Sequence, residues 1–185
     1  MKLRNLFTVG TVILSLVAGN ALAQDDKAKK QDEVRKAAQT ALQKFYKAKP
    51  ELKGEVEKAP GYAVFTTYGL SFLIGGAGGK GIAHDNKTKK ETFMSMAQAS
   101  AGAQIGIAES ETLIVFPTQK ALNDFVDKGW EASGGGAVQA GAGGKSAGTA
   151  SGGTTDALYY TLTKNGLQLG LAVAGTKFSK DDDLN

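Results

Sequence analysis

The sequence contains no cysteine, and it has one histidine, one tryptophan and three prolines among its 185 residues. The lack of cysteine excludes disulfides, thiolate metal sites and cysteine nucleophiles. A secreted protein without disulfides also fits a bacterial envelope better than an animal extracellular space. Beyond the N-terminal residues, the sequence has no apolar run long enough to cross a bilayer as a helix.

The N-terminus has the pattern of a secretory signal peptide. Lys2 and Arg4 form a basic start, residues 6–18 are mostly apolar, and Ala21-Leu22-Ala23 is a small-x-small cleavage site. A transmembrane anchor is the alternative, which the short apolar stretch with its glycines and polar residues disfavours. We therefore predict a signal peptide over residues 1–23 and a single domain, periplasmic or secreted, over residues 24–185.

The formal net charge gives little indication of a partner. It is +4 for the whole chain and becomes +2 when Lys2 and Arg4 leave with the signal peptide. Such a small positive excess does not indicate nucleic acid as a partner, and the local arrangement of basic residues matters more than the total.

The first part of the domain, residues 24–60, has a helical pattern. Apolar residues between Asp25 and Lys49 recur at spacings of three and four, which places them on one face of a helix. They are Val34, Ala38, Ala41, Leu42 and Phe45. Pro50 ends this helix because proline lacks the amide hydrogen that a helix interior needs, and a second short helix is expected over residues 51–58.

The pattern changes to short extended runs over residues 61–180. Aromatic and β-branched residues predict strands at 62–68 and 112–116, and a run of small residues predicts a long strand at 92–107. Asn165-Gly166 between two alternating apolar runs predicts a β-hairpin. The glycine-rich segment from Ser133 to Gly153 is either close-packed β-structure or a disordered linker.

One helix interrupts these strands. Pro117-Thr118 begins it and Gly129 ends it, and its inner face consists of Ala121, Leu122, Phe125 and Val126. The order of elements predicts an α+β fold, with N-terminal helices followed by a curved, mainly antiparallel, glycine-rich sheet. Such a sheet forms a half-closed barrel or a sandwich, and the acidic tail Asp181-Asp182-Asp183 is expected to be frayed.

Glycine-rich motifs that end in lysine invite a nucleotide-binding interpretation. Gly-Ala-Gly-Gly-Lys occurs at 76–80 and 141–145, and Gly76-x-Gly78-x-x-Gly81 matches the dinucleotide fingerprint. That fingerprint needs a following helix and an acid about 20 residues later, and the sequence offers neither. Gly144-Lys145-Ser146 lacks the earlier glycine of a phosphate-binding loop. Both motifs are therefore expected in β-structure.

Candidates for catalysis and metal binding are few. A nucleophilic serine would need His84 as its base, and His84 with Asp85 is the best acid–base pair that an enzyme hypothesis can name. Carboxylates at Glu109 and Glu111, or in the acidic tail, lack the spacing of an EF-hand. Exposed acids and a turn histidine are the ordinary interpretation, so we predict no enzyme, no metal and no cofactor.

Residues 59–65, Ala-Pro-Gly-Tyr-Ala-Val-Phe, precede a glycine-rich run that ends Gly79-Lys80-Gly81. These two motifs resemble the core of the SYLF domain family. Ala99 to Gly106 is similar to the family's small-residue strand, which ends Gly-x-Gln-x-Gly. The strand and helix at 112–122, the glycine-rich strand at 137–144 and the closing hairpin follow in the family's order, so the resemblance covers roughly 34–185.

The resemblance implies a lipid-binding module. Eukaryotic SYLF domains bind phosphoinositides, partly through a basic amphipathic N-terminal helix, and some bind actin, whereas bacterial members are envelope proteins. It thus implies peripheral docking on anionic phospholipid, with actin not expected in this compartment. The candidate lipid-binding residues are Lys27, Lys29, Lys30, Arg35, Lys36, Lys80 and Lys145.

Two alternatives remain open from the residues themselves. The lysines of the first helix either contact an anionic surface or are simply solvated opposite a face that packs on the sheet. A structural envelope protein that binds a protein or peptidoglycan partner through its glycine-rich sheet is the alternative function.

Overall fold

The computed structural model describes residues 15–67, 77–98, 110–132, 157–163, 166–169 and 176–185. Helix α1 spans Ser15–Ala48, so it begins ten residues before the predicted start at Asp25 and ends where predicted. Pro50 separates it from α2, Glu51–Lys58, which confirms the short second helix. The predicted inner face of α1 is confirmed, since Ala38, Ala41 and Phe45 are buried and the others are half-buried.

Within the described residues, eight antiparallel strands form one curved sheet in the shape of a half-barrel, which confirms the predicted fold class. In chain order the strands are β1 Gly61–Thr66, β2 Ala77–Asp85, β3 Glu91–Gln98, β4 Glu111–Phe116, β5 Trp130–Ala132, β6 Leu158–Thr163, β7 Gly166–Leu169 and β8 Thr176–Lys180. Their order across the sheet is β5-β8-β3-β2-β1-β4-β6-β7. A chain turn at residues 86–90 joins β2 to β3, and we call this end of the sheet the turn end.

Helices cover both faces of the sheet. Helices α1 and α2 pack on one face, where Phe45 and Leu52 meet Val64, Leu113 and other buried residues of the central strands. The inserted helix α3, Gln119–Lys128, packs on the other face. The central strand β4 is buried at every position, as the sequence predicts for Thr112 to Phe116.

Aromatic side chains fill the core beneath α3. Phe178 of β8 lies 4.8 Å from Phe65, 5.7 Å from Phe125 and 5.7 Å from Trp130, between ring centroids. Tyr159 of β6 meets the indole of Trp130 edge to face at 5.7 Å. These contacts explain two strands that the sequence did not predict, since β5 and β8 each place one large aromatic ring in this cluster.

The ends of α3 are as the sequence predicts. The hydroxyl of Thr118 accepts a hydrogen bond from the backbone N–H of Ala121 at 3.1 Å, which caps the first turn. Gly129 ends the helix with φ of 70°, a left-handed conformation that favours glycine. The predicted inner face is confirmed for Ala121, Leu122 and Phe125, which are buried.

Glycines of the first glycine-rich run allow close approach of strands. A Cβ atom on Gly81 would collide with the carbonyl oxygen and ring of β1, and one on Gly79 would lie 2.8 Å from the carbonyl oxygen of Thr66. Gly78 and Gly81 therefore belong to strand β2, not to a loop before a helix. The β-interpretation of this part of the dinucleotide-like motif is confirmed, and the second motif, at 141–145, lies outside the described residues.

The predicted hairpin is confirmed, because β6 and β7 pair with Thr163 opposite Gly166. The expected strand at 92–107 is confirmed as far as Gln98, where β3 ends and the described residues stop. The expectation of a frayed acidic tail is wrong. Asp181 and Leu184 are buried, and Asn185 exchanges hydrogen bonds of 2.7 Å and 3.0 Å with the backbone of Phe93.

Candidate functional site

The basic residues of α1 fall into two groups. Lys29, Lys30 and Lys36 are exposed and form no ion pair in the part of the chain that the structure describes. They lie away from the buried seam of the helix, in agreement with the helical periodicity. These three lysines are therefore available to a charged partner.

Two other basic residues of α1 instead hold the helix on the rest of the fold. The Nζ of Lys27 donates to the backbone oxygen of Asn185 at 2.6 Å. Arg35 donates to Glu91 at 2.9 Å and to Asp32 at 2.8 Å, and its guanidinium lies 5.1 Å from the ring centre of Phe93. The hydrogen bond with Glu91 is the main cause of the raised pKa of Arg35.

Lys80 of the first glycine-rich run is also paired inside the fold. Its Nζ donates to the carboxylate of Asp181 and, at 2.9 Å, to the hydroxyl of Ser95, which itself donates to Asp181 at 2.8 Å. The Asp181 side chain is only 3% exposed, whereas that of Lys80 is 37% exposed. Lys145, the other lysine predicted to contact lipid beside a glycine-rich strand, lies outside the described residues.

An ion pair at the other end of the sheet was missed by the sequence analysis. Lys44 of α1 donates to Glu111 at 2.5 Å, and the Glu111 side chain is 4% exposed. The expectation that Glu111 is an exposed acid is therefore wrong. No local signal in the sequence could have found this pair, because its members are 67 residues apart.

His84 and Asp85, the acid–base candidates, have structural partners. His84 lies in strand β2 and not in the turn, with its ring 5.2 Å from that of Tyr62 and its Nδ1 3.9 Å from Glu91. Burial lowers the pKa of His84, against the opposing effect of Glu91. This arrangement makes His84 part of a cross-strand row under α1.

The Asp85 carboxylate organises the turn. It accepts hydrogen bonds of 2.8 Å from the backbone N–H groups of Lys87 and Thr88 and one of 2.7 Å from the amide of Gln119. These bonds, that from Thr88 above all, lower the pKa of Asp85. Such side-chain bonds to the backbone are what a tight turn requires.

A further group of lysines was missed by the sequence analysis. Lys87, Lys89 and Lys90 lie in or beside the turn, and Lys58 lies in the last turn of α2; all four are exposed. Asn86 joins these two segments, because its side-chain amide donates to the carbonyls of Val56 and Ala59 at 2.6 Å and 2.8 Å. We call these four residues the turn lysines.

Within the described ranges, no group of three or more histidine or acidic residues is placed to hold a metal ion. A cavity of about 110 Å³ lies between the sheet and α3. It is lined by Ala83, Asp85, Lys90, Thr92, Leu122, Asn123, Val126 and Asp127. Among the described helices, none has the length and apolar content that a membrane span requires.

Comparison with known proteins identifies the family. The family model described as "Ysc84: Las17-binding protein actin regulator" matches residues 97–185. Beta cell expansion factor A of Aeromonas veronii is 33% identical over 147 residues, which are 80% of this chain and 56% of that protein. The chain belongs to the SYLF family.

Two yeast proteins are also similar to this chain. LAS seventeen-binding protein 3 of Saccharomyces cerevisiae is 29% identical over 138 residues, and Protein YSC84 of the same organism is 27% identical over 138 residues. Each match covers 70% of this SYLF chain and 30% of the yeast protein. The chain thus spans about half the length of the Aeromonas relative and less than a third of the yeast relatives.

Proposed function

We propose that this SYLF protein is a binding module of the bacterial envelope that docks peripherally on anionic phospholipid. The observation that supports it best is the division of the basic residues of α1. Lys27 and Arg35 are used to hold the helix on the fold, whereas Lys29, Lys30 and Lys36 are exposed without ion pairs among the described residues. Each lysine near an anionic surface contributes about 1 kcal/mol.

The proposal places the domain in the periplasm or outside the cell, after cleavage near Ala23. The first side-chain contact of α1 that the structure describes is made by Lys27, so the chain from Gln24 keeps the contacts that hold the helix. Lys80 contributes less than the exposed lysines in this proposal, because its ammonium group already faces Asp181. No enzymatic step is part of the proposal.

Co-sedimentation with vesicles tests this function. The chain from Gln24 is mixed with vesicles of neutral lipid, or of neutral and anionic lipid, at low and high salt. We expect binding to the anionic vesicles alone, and we expect high salt to weaken it because surface charges are screened. Absence of binding to either vesicle at low salt would refute the proposal.

A charge reversal assigns the binding to α1. Changing Lys29, Lys30 and Lys36 to Glu removes about 3 kcal/mol of attraction and adds repulsion, so binding at low salt should be lost. The matched control changes three other exposed lysines to Glu, namely Lys47 in the last turn of α1, Lys53 in α2 and Lys177 in β8. Equal binding by the two variants would exclude a specific role for Lys29, Lys30 and Lys36.

The relatives favour one alternative function, a protein partner. The yeast protein is named for binding LAS seventeen, and the family description names an actin regulator. By analogy, this chain would bind a protein of the envelope, or peptidoglycan, and not actin. Association with envelope extract that persists at high salt, without any binding to anionic vesicles, would favour this alternative.

A further inference from the structure

We infer that the turn lysines, Lys58, Lys87, Lys89 and Lys90, form a second contact surface for the anionic bilayer. This inference rests on the proposed function and names a different part of the molecule as a contact. Nothing in the sequence motifs pointed to it, because α2 and the turn are about 30 residues apart and become neighbours only in the fold.

The structure holds the turn lysines in a fixed arrangement. The backbone N–H of Asn86 donates to the carbonyl of Pro60 at 2.9 Å, and its side chain bonds Val56 and Ala59. Lys58 directly precedes Ala59, and Lys87 directly follows Asn86, so the two lysines are neighbours. Asp85 fixes the rest of the turn through its bonds to the backbone.

The charge balance of this surface is positive. None of the four turn lysines forms an ion pair with any residue that the structure describes. The acids beside them are Asp85, whose carboxylate is occupied by the turn backbone and Gln119, and Glu91, which pairs with Arg35. Glu57 and Asp127 are exposed acids, and Asp127 lines the same cavity as Lys90. With Arg35 counted, five cations face four carboxylates, and the remaining positive charge complements an anionic surface.

The turn lysines and the exposed lysines of α1 lie at the same end of the sheet. Glu91, which directly follows Lys90, is the residue that Arg35 of α1 binds at 2.9 Å. Lys36 directly follows Arg35 in α1. Contact of both groups with one anionic surface would fix the orientation of the domain.

A bilayer fits these observations better than a single bound phosphate. The lysines are exposed at a chain turn and at a helix end, where many headgroups can approach at once. The cavity that Lys90 helps to line also contains Asp85 and Asp127, and these carboxylates would repel a phosphate inside it. The inference therefore names a vesicle surface and not a pocket ligand.

Three variants with equal loss of charge test the inference. Each variant changes three lysines to Gln. The turn variant changes Lys58, Lys87 and Lys90, and the α1 variant changes Lys29, Lys30 and Lys36. The control changes Lys47, Lys53 and Lys177. Circular dichroism and thermal unfolding confirm that each variant is folded. Affinity for vesicles of neutral lipid with a fixed fraction of phosphatidylglycerol is then measured at low salt.

We expect the turn variant to bind about a hundredfold more weakly than the control, from about fivefold for each of its three lysines. Binding equal to the control would overturn the inference and leave the role of α1 intact. If even the unchanged protein fails to bind, the proposed function itself fails. Competition by inorganic phosphate at constant ionic strength would also overturn the inference, in favour of a phosphate site.

Discussion

The acidic tail offers a sharp test of how the fold is held together. Asp181, Asp182 and Asp183 are adjacent and chemically identical, yet only the first is buried; the other two are exposed. Asp181 accepts hydrogen bonds from Lys80 and Ser95, and its backbone N–H donates to the β3 carbonyl of Phe93 at 3.0 Å. We predict that Asp181→Asn destabilises the protein and that the same change at the next two positions does not.

The magnitude follows from the exposure of the two charged partners. Removing one member of a buried ion pair costs about 3–5 kcal/mol. After Asp181→Asn the orphaned ammonium of Lys80, 37% exposed, regains some water, so we expect a loss of about 2–3 kcal/mol. Lys80→Met should cost more, because the carboxylate that it leaves unpaired is 3% exposed. The double variant should be more stable than the sum of the single effects predicts.

Urea unfolding at pH 7 measures these differences in stability. Asp182→Asn and Asp183→Asn are the matched controls, and their free energies of unfolding should lie within about 0.5 kcal/mol of that of the unchanged protein.

Burial acts to raise the pKa of Asp181, but the hydrogen bonds from Lys80 and Ser95 outweigh it and hold that pKa below 3.8. The stability from Asp181 is therefore present above pH 3.8 and is lost as the pH falls through the lowered pKa.

Two outcomes would refute this reasoning. The first is an Asp181→Asn variant as stable as its neighbours' variants, which would show that the buried pair contributes nothing. The second is a Lys80→Met variant that is less destabilised than Asp181→Asn. That result would show that the exposure of the remaining charge does not determine which of the two variants loses more stability.

Two further predictions concern backbone conformation and pH. Gly129→Ala should destabilise the protein by more than about 1 kcal/mol, because φ is 70° and a Cβ would collide with a β8 carbonyl. Gly54→Ala in α2, where a Cβ has nothing within 4 Å, should stabilise the protein by up to about 1 kcal/mol. Urea unfolding compares the two variants. Burial lowers the pKa of His84 below 6.5, so the unfolded chain binds that proton more tightly. The stability of the protein should therefore fall as the pH drops from 7 to below 6.5, and His84→Gln should make stability depend less on pH in this range. Thermal unfolding across pH measures this dependence. An unchanged dependence in the variant would show that His84 does not cause it.

Local sequence patterns predicted the elements whose stabilising contacts lie within or beside them. The apolar spacing in α1, the cap residue Thr118, the terminating Gly129 and the Asn-Gly turn each act over a few residues. The continuous apolar run of β4 likewise predicted a buried strand. Local propensity and tertiary structure agree at these positions, so the fold class could be inferred before any contact was known.

Long-range contacts decided what the sequence did not predict. β8 is short and flanked by charge, and it exists because Phe178 enters the aromatic cluster and its backbone pairs with β3. Asp181 is buried because Lys80, 101 residues earlier, meets it. Within the candidate site, periodicity placed Lys36 on the outer face, where it is exposed. It could not show that Arg35 is held by Glu91, because that partner lies on a strand.

The position of β8 also determines the order in which the domain can assemble. β8 lies between β3 and β5, and in the described part of the chain β5 pairs with β8 alone. A chain emerging residue by residue from a ribosome or a translocation channel can pair β1 with β2 and β3 early. It cannot pair Trp130 of β5 with Phe178 of β8 until Thr176–Lys180 has emerged. Thr176–Lys180 thus join β5 to β3, and until these residues are released β5 lacks the strand with which it pairs in the described part of the chain.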